Sequence, residues 1–335
     1  MCIRDRISKM SLFFWVTGLL CLVVQTIAIG QNATIGFTGG SNQLRLAGNG
    51  LSPVILIDSK DYIGVIRTAR DLGADFGRVT GKNATVQLTN QTANVHTGPV
   101  IIAGSITNSP LIKKLVQSGK INVNKTQGQW EAFSSQLVKN PMAGIAEALV
   151  IAGADQRGTI YGLYDVSEQI GVSPWYDWAD VAPKKKQNIF ALNIVKNQAS
   201  PTIKYRGIFL NDEQPALTNW VQANYPNGKY GPGFNAAFYS RIFELLLRLR
   251  ANYIWPAEWN SMFSVDDPFN DENAQNYGFV VGSSHTEPLQ RWTKEQSVFL
   301  NGTWSWQSNR DNVTAFLKEG AERGAKYEHV WTMGK

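Results

Sequence analysis

At 335 residues the sequence is long enough for two domains with separate cores, and with 43% apolar and 17% charged residues it is not a wholly disordered chain. The net charge of +6 is mild and its basic residues are scattered, which points to a solvated surface and away from nucleic-acid recognition. Cys2 and Cys21 are the only cysteines and His96, His285 and His329 the only histidines, so the body of the chain lacks the material for a disulfide framework or a cysteine-rich zinc site.

Residues 1–30 read as an export leader. Arg4, Arg6 and Lys9 form a positive start, an uncharged apolar run reaches Val24, and Ala28-Ile29-Gly30 offers a small-x-small cleavage site. The run falls short of the roughly 20 apolar residues that span a bilayer, so cleavage takes precedence over anchoring. Met10 is a second candidate start. Asn32, Asn83, Asn90, Asn124, Asn301 and Asn312 each stand two residues before a threonine, as N-glycosylation sequons do. Leader and sequons together predict a secreted glycoprotein without stable membrane association.

Residues 31–197 read as an N-terminal α/β sandwich domain. Strands are predicted at Pro53 to Ile57, Thr85 to Leu88, Val100 to Ala103, Phe133 to Val138 and Ala148 to Ala152. A helix after Asp58-Ser59 carries Tyr62, Val65, Ile66, Ala69, Leu72 and Phe76 on one face, with Arg67, Arg70, Asp71 and Arg78 on the other. A short helix opens at Pro110 behind the cap Ser109, and another runs from Thr159 to Ile170 and stops at Gly171. Gly98, Gly104 and Gly153 lack the spacing of a nucleotide-binding loop and are taken as turn residues. At the exit, Trp175, Tyr176 and Trp178 suit either sugar stacking or packing against the next domain, and packing takes precedence at a junction.

Residues 198–335 repeat a strand, loop and helix pattern. The run Ile208 to Leu210 is read as a strand that buries its body and presents Asn211, Asp212 and Glu213 at its end. Tyr253 to Trp255 leads into Glu258, Phe279 to Val281 into Ser284, His285 and Glu287, and His329 to Trp331 into Thr332. Helices are predicted at Asn235 to Arg250, Asp271 to Tyr277, Pro288 to Leu300 and Asn309 to Arg323, with polar loops from Gln214 to Gly233 and Trp259 to Asn270. Parallel strands with right-handed crossovers make this the first half of a (β/α)8 barrel. A half barrel leaves open sheet edges, so the natural protein is expected to continue past Lys335, and the 335 residues alone to be inactive and poorly soluble.

The strand ends are dominated by carboxylates: Asp212, Glu213, Glu258 and Glu287. Such a set, with no metal site and no serine triad, suits glycosidic hydrolysis, where one acid protonates the leaving oxygen and one base activates water or attacks. Trp255 and Trp259 beside them suit a sugar ring, and His285, between Ser284 and Glu287, faces the same end of the strands. Taken singly, each carboxylate is equally well a solvated loop residue or a helix cap; their recurrence on successive strands carries the case. Asp266 and Asp267 belong to a turn.

Four stretches give the chain its relatives. They are Arg157–Tyr176 (RGTIYGLYDVSEQIGVSPWY), Tyr205–Glu213 (YRGIFLNDE), Phe243–Trp259 (FELLLRLRANYIWPAEW) and Gly282–Pro288 (GSSHTEP). With these the chain, from about Pro53 to Lys335, resembles glycoside hydrolase family 115, the xylan α-1,2-glucuronidases. The resemblance implies an N-terminal α/β domain, a (β/α)8 barrel and further C-terminal domains that the chain lacks. It also implies removal of (4-O-methyl-)glucuronic acid side groups from glucuronoxylan with inversion and without a cofactor. By resemblance Asn211, Asp212, Trp255, His285 and Glu287 line the pocket, with Glu213 and Glu258 close by; basic residues that meet the uronate come from later strands.

The resulting expectation is an exported inverting α-glucuronidase, with Asp212, Glu287 and His285 as catalytic residues. Asn211, Glu213, Trp255, Glu258, Trp259 and Ser284 are expected to bind substrate. Glucuronoxylan or its oligosaccharides are the expected partner, with a homodimer of the full-length protein as a possible assembly. The rivals are a non-catalytic carbohydrate-binding protein or pseudo-enzyme that uses its tryptophans as platforms, and a structural wall- or membrane-associated protein held by an uncleaved leader.

Overall fold

The computed structural model describes residues 33–89 and 98–334. The leader, both cysteines, His96 and the sequons at Asn32 and Asn90 lie outside the described residues. Among the described residues no helix is long and apolar enough to cross a membrane.

Two short strands, β1 (Ile35–Gly36) and β2 (Leu44–Ala47), open the chain and pair antiparallel with a later one, β8 (Ile189–Ala191). The first large sheet follows. Its strands are β3 (Val54–Asp58), β4 (Thr85–Thr89), β5 (Val100–Ser105), β6 (Phe133–Met142), β7 (Ile145–Gly153) and β9 (Lys196–Gln198), in the order β4-β3-β5-β7-β6-β9. Neighbours from β4 to β7 run parallel, while β6 runs antiparallel to β7 and β9. Continuous apolar runs such as Val54-Ile-Leu-Ile and Val100-Ile-Ile-Ala are what a parallel strand covered on both faces requires, and both runs are almost wholly buried.

Helices cover this sheet. In α1 (Ile63–Thr80) the predicted stripe of Val65, Ala69, Leu72 and Phe76 is fully buried, and Gly81 closes the helix in the left-handed region, φ 88°. In α2 (Pro110–Gln117) the Ser109 hydroxyl caps by accepting from the Ile112 amide. The helix predicted from Thr159 begins a turn earlier, as α3 (Gln156–Gln169), because the Asp155 carboxylate accepts from the Gly158 amide at 2.8 Å. Gly104 and Gly153 are strand residues and not turn residues. A Cβ on Gly153 would stand 2.2 Å from the Thr159 nitrogen, so the bare backbone is what lets α3 start flush against β7.

In the second part β10 (Gly207–Phe209), β11 (Tyr253–Trp255) and β12 (Val280–Val281) form a parallel three-stranded sheet. The fourth predicted strand is reduced to a single parallel bridge, Val281 to His329. The helices are α4 (Leu217–Asn224), α5 (Ala236–Arg248), α6 (Phe263–Asp266), α7 (Asn270–Tyr277), α8 (Thr293–Phe299) and α9 (Arg310–Gly324). Two corrections concern loops: α4 lies inside the stretch read as irregular from 214 to 233, and α6 inside that from 259 to 270. Neither carries the apolar repeat of a long amphipathic helix, which is why only α5 with Phe238, Ile242 and Leu246 stood out. A third correction concerns β10. Ile208 and Phe209 are 43% and 49% exposed, because one edge of the strand is unpaired and its aromatic face is uncovered.

The two parts share one apolar core, which runs from Val65, Phe76, Tyr161 and Tyr164 into Phe238, Phe243, Ile254 and Val281. Ion pairs rivet the same junction. Buried Glu131 receives Arg157 at 2.8 Å and Arg206 at 2.6 Å, and Asp75 on α1 receives Arg248 of α5 at 2.8 Å. Tyr176 donates to Glu244 and Trp178 packs 5.4 Å from Trp220, so these exit aromatics serve the interface. Trp175 stays 45% exposed.

Candidate active site

The segments after β10, β11 and β12 converge at one end of the small sheet. Asp212 is 1% exposed and its carboxylate faces inward. Oδ1 accepts from the Glu258 and Trp259 amides at 3.0 and 2.8 Å, and Oδ2 from the Asn260 amide and the Ser261 hydroxyl at 2.9 and 3.0 Å. Four donors from four successive residues fill both oxygens. Asp212 therefore fixes the segment after β11, with both carboxylate oxygens engaged by that segment's donors.

That segment presents Glu258, itself 4% exposed. The Ser284 amide donates to its carboxyl at 3.1 Å and the Ser284 hydroxyl donates to Glu287 at 2.8 Å, so one serine joins the two carboxyls. Burial, the hydrogen bond to Glu287 and the charge of Glu287 push Glu258 up to about 9. Glu287, 2% exposed, goes the other way. Burial alone would raise it, but hydroxyls from Thr293, Thr286 and Ser284 donate to it and hold it below the ordinary carboxylate range. Thr286 does so at 2.7 Å and Ser284 at 2.8 Å. Two neighbouring carboxyls whose protonation tendencies are driven apart suit a pair that holds one proton between them.

Ser284 links this pair to the surface, because its hydroxyl oxygen also lies 3.4 Å from His285 Nδ1. His285 is exposed, as are Asn211, Glu213 and Trp259, the last by 57%. Asn211 caps its own turn, its side-chain oxygen accepting from the Glu213 amide at 3.3 Å. Trp255 is half-buried on the uncovered face of β11, its indole donating to Tyr253 Oη at 2.7 Å and its ring 5.5 Å from Phe209. The structure thus joins Asp212, Glu258, Ser284 and Glu287 in one buried network. It leaves Asn211, Glu213, Trp259 and His285 on the rim.

Sequence reasoning missed Thr286, Thr293 and Lys294. Lys294 holds Asn260 Oδ1 at 3.0 Å and also donates to the Tyr230 carbonyl, which ties the long segment before α5 to the segment after β11. Thr293 and Lys294 stand on α8, away from the segments they serve, and leave no spacing signal beside them, whereas Thr286 is the sequence neighbour of Glu287.

Residues 198–335, which hold all of these groups, match the family model of glycosyl hydrolase family 115. The chain superposes on the solved structure of BtGH115A, described as a family 115 4-O-methyl-α-glucuronidase with specificity for decorated arabinogalactans. The TM-score is 0.73 at 31% identity, over 86% of this chain and 36% of that one. The chain belongs to glycosyl hydrolase family 115. Among further solved structures, a Flavobacterium johnsoniae chitobiase superposes with a TM-score of 0.45 at 11% identity, over 90% of this chain and 42% of that one. A Streptomyces plicatus β-hexosaminidase gives 0.42 at 11% identity, over 74% and 44%. No curated protein matches. This family 115 chain spans about a third of the length of BtGH115A.

Proposed function

We propose that this family 115 chain supplies part of a site that hydrolyses α-linked (4-O-methyl-)glucuronic acid side groups from a polysaccharide, glucuronoxylan being the polymer expected from the sequence. One observation carries the reading: two buried carboxyls at adjacent strand ends, Glu258 and Glu287, with protonation tendencies driven apart. A carboxyl that keeps its proton at neutral pH can protonate a leaving glycosidic oxygen.

The same contact limits the stereochemistry. An inverting pair stands roughly 6.5–9.5 Å apart to admit water, whereas Glu258 and Glu287 both bond Ser284 and influence each other's protonation. Glu258 and Glu287 then work as one unit on one side of the scissile bond, and inversion needs a second carboxyl. Within this chain exposed Glu213 is the candidate, while Asp212 is spent on the segment it holds. Asn211, His285 and Trp259 on the rim are placed to contact the sugar.

In the full-length enzyme Glu258→Gln and Glu287→Gln should each lower uronic acid release by about 10²–10⁴-fold. Near-normal turnover in both would remove the pair from the chemistry. Proton NMR of the first product formed should show the β-anomer if the reaction inverts. Export is part of the same proposal, supported by the leader and by the exposure of Asn83, Asn124, Asn301 and Asn312. A non-catalytic sugar-binding role draws on exposed Trp259, and uronic acid released by the intact protein would exclude it.

A further inference from the structure

Beyond the carboxyl network lies a groove of about 510 Å³, within the size range of small-ligand sites. Its lining includes His285 and Thr286 together with Trp304 and Trp306, which lie in the segment between α8 and α9. The two indoles are 46% and 53% exposed. Trp304 is braced edge-on against Phe316 of α9 at 6.1 Å, and the Arg310 guanidinium lies 5.2 Å over the Trp306 ring. Both rings are thus held by neighbours yet remain about half exposed.

The chemistry of the lining selects the ligand. His285 is its one titratable side chain, and the polar groups are otherwise hydroxyls and an amide from Thr286, Thr293, Ser305 and Gln296. Aromatic faces with uncharged hydrogen-bonding groups suit a neutral pyranose chain, with apolar C–H faces and equatorial hydroxyls. The lining itself carries no lysine or arginine, and the nearby Arg310 guanidinium is engaged over the Trp306 ring. The groove adjoins the carboxyl pair, since Thr286 and Thr293, which line it, donate their hydroxyls to Glu287 Oε1.

We infer that the Trp304–Trp306 groove is the subsite for the uncharged main chain that carries the side group, with Trp306 as the stacking platform. This rests on the glycosidase reading for its orientation: side group toward Glu287, main chain along the tryptophans. Xylan and galactan main chains share this chemistry.

The test is titration of the full chain, followed by tryptophan fluorescence, with two uronate-free probes: a linear β-1,4-xylo-oligosaccharide and a β-1,6-galacto-oligosaccharide. Saturable binding of one is expected, and the one that binds identifies the main chain. Trp306→Ala should weaken that binding by about tenfold, and Trp304→Phe, which keeps the contact with Phe316, by less. Binding of neither probe, or equal binding by Trp306→Ala and the parent, would overturn the proposal. Because the probes carry no scissile group, the result is independent of uronic acid release, so the subsite and the hydrolytic reading can fail separately.

Discussion

Arg206 Nη2 lies 2.6 Å from Glu131 Oε2, and the pair joins the residue just before β10 to the first sheet's side of the molecule. Glu131 has no exposed side-chain surface and also receives Arg157. Removing it would leave two guanidiniums facing a site built for an anion. Glu131→Ala should therefore destabilise the chain by about 3–5 kcal/mol, read as a lower urea midpoint. A change below about 0.5 kcal/mol would show that the pair is mere surface decoration.

The shared proton predicts how stability depends on pH. Glu258 is pushed from an ordinary 4.5 to about 9, so the folded chain binds that proton more tightly than the unfolded one. Its contribution is full below 4.5 and fades as pH rises toward about 9. Glu287, lowered in the fold, acts in the opposite sense and its contribution is lost on acidification. Urea unfolding of the parent should weaken between pH 5 and 9 by at most about 1.4 kcal/mol per pH unit from this group. Glu258→Gln should flatten that slope, and an unchanged slope would place the proton elsewhere.

Asp212 should behave differently from the carboxyl pair. Asp212→Asn keeps the shape but turns an amide donor toward a cluster of donors, at a cost of about 1–3 kcal/mol. Hydrogen exchange at the Trp259 and Asn260 amides should rise, and activity of the full-length enzyme should fall without a shift in its pH profile. A shifted profile with protected amides would make Asp212 a participant in proton transfer.

Gly153→Ala tests the seating of α3. Its Cβ would enter the backbone of Thr159, which cannot swing away as a side-chain tip can. Overpacking of this kind costs about 1–3 kcal/mol, visible as a lower thermal midpoint. An unchanged midpoint would mean that α3 shifts freely.

Much of the frame was legible because it is repetitive. The stripe of α1, the cap at Ser109 and the buried runs of β3 and β5 follow from period and residue type alone. Short elements were not: β1, β2, β8 and β9 are two to four residues long and depend on distant partners. At the site, residue types at strand ends located Glu258, Ser284, His285 and Glu287. Roles were harder, since orientation decides them. Asp212 and Glu213 are adjacent in sequence, yet one is sealed under four donors and the other stands in solvent.

The common core of the two parts has a thermodynamic consequence. A chain boundary near residue 198 can be drawn on paper, but Tyr161 and Tyr164 pack in the same cluster as Phe243 and Ile254, and Arg248 reaches across to Asp75. Unfolding either side exposes the other, so heating should give a single cooperative transition. Damage to α1 should then be felt at the carboxyls after β11 and β12. The first sheet is less a neighbour of the site than the foundation on which its strands stand.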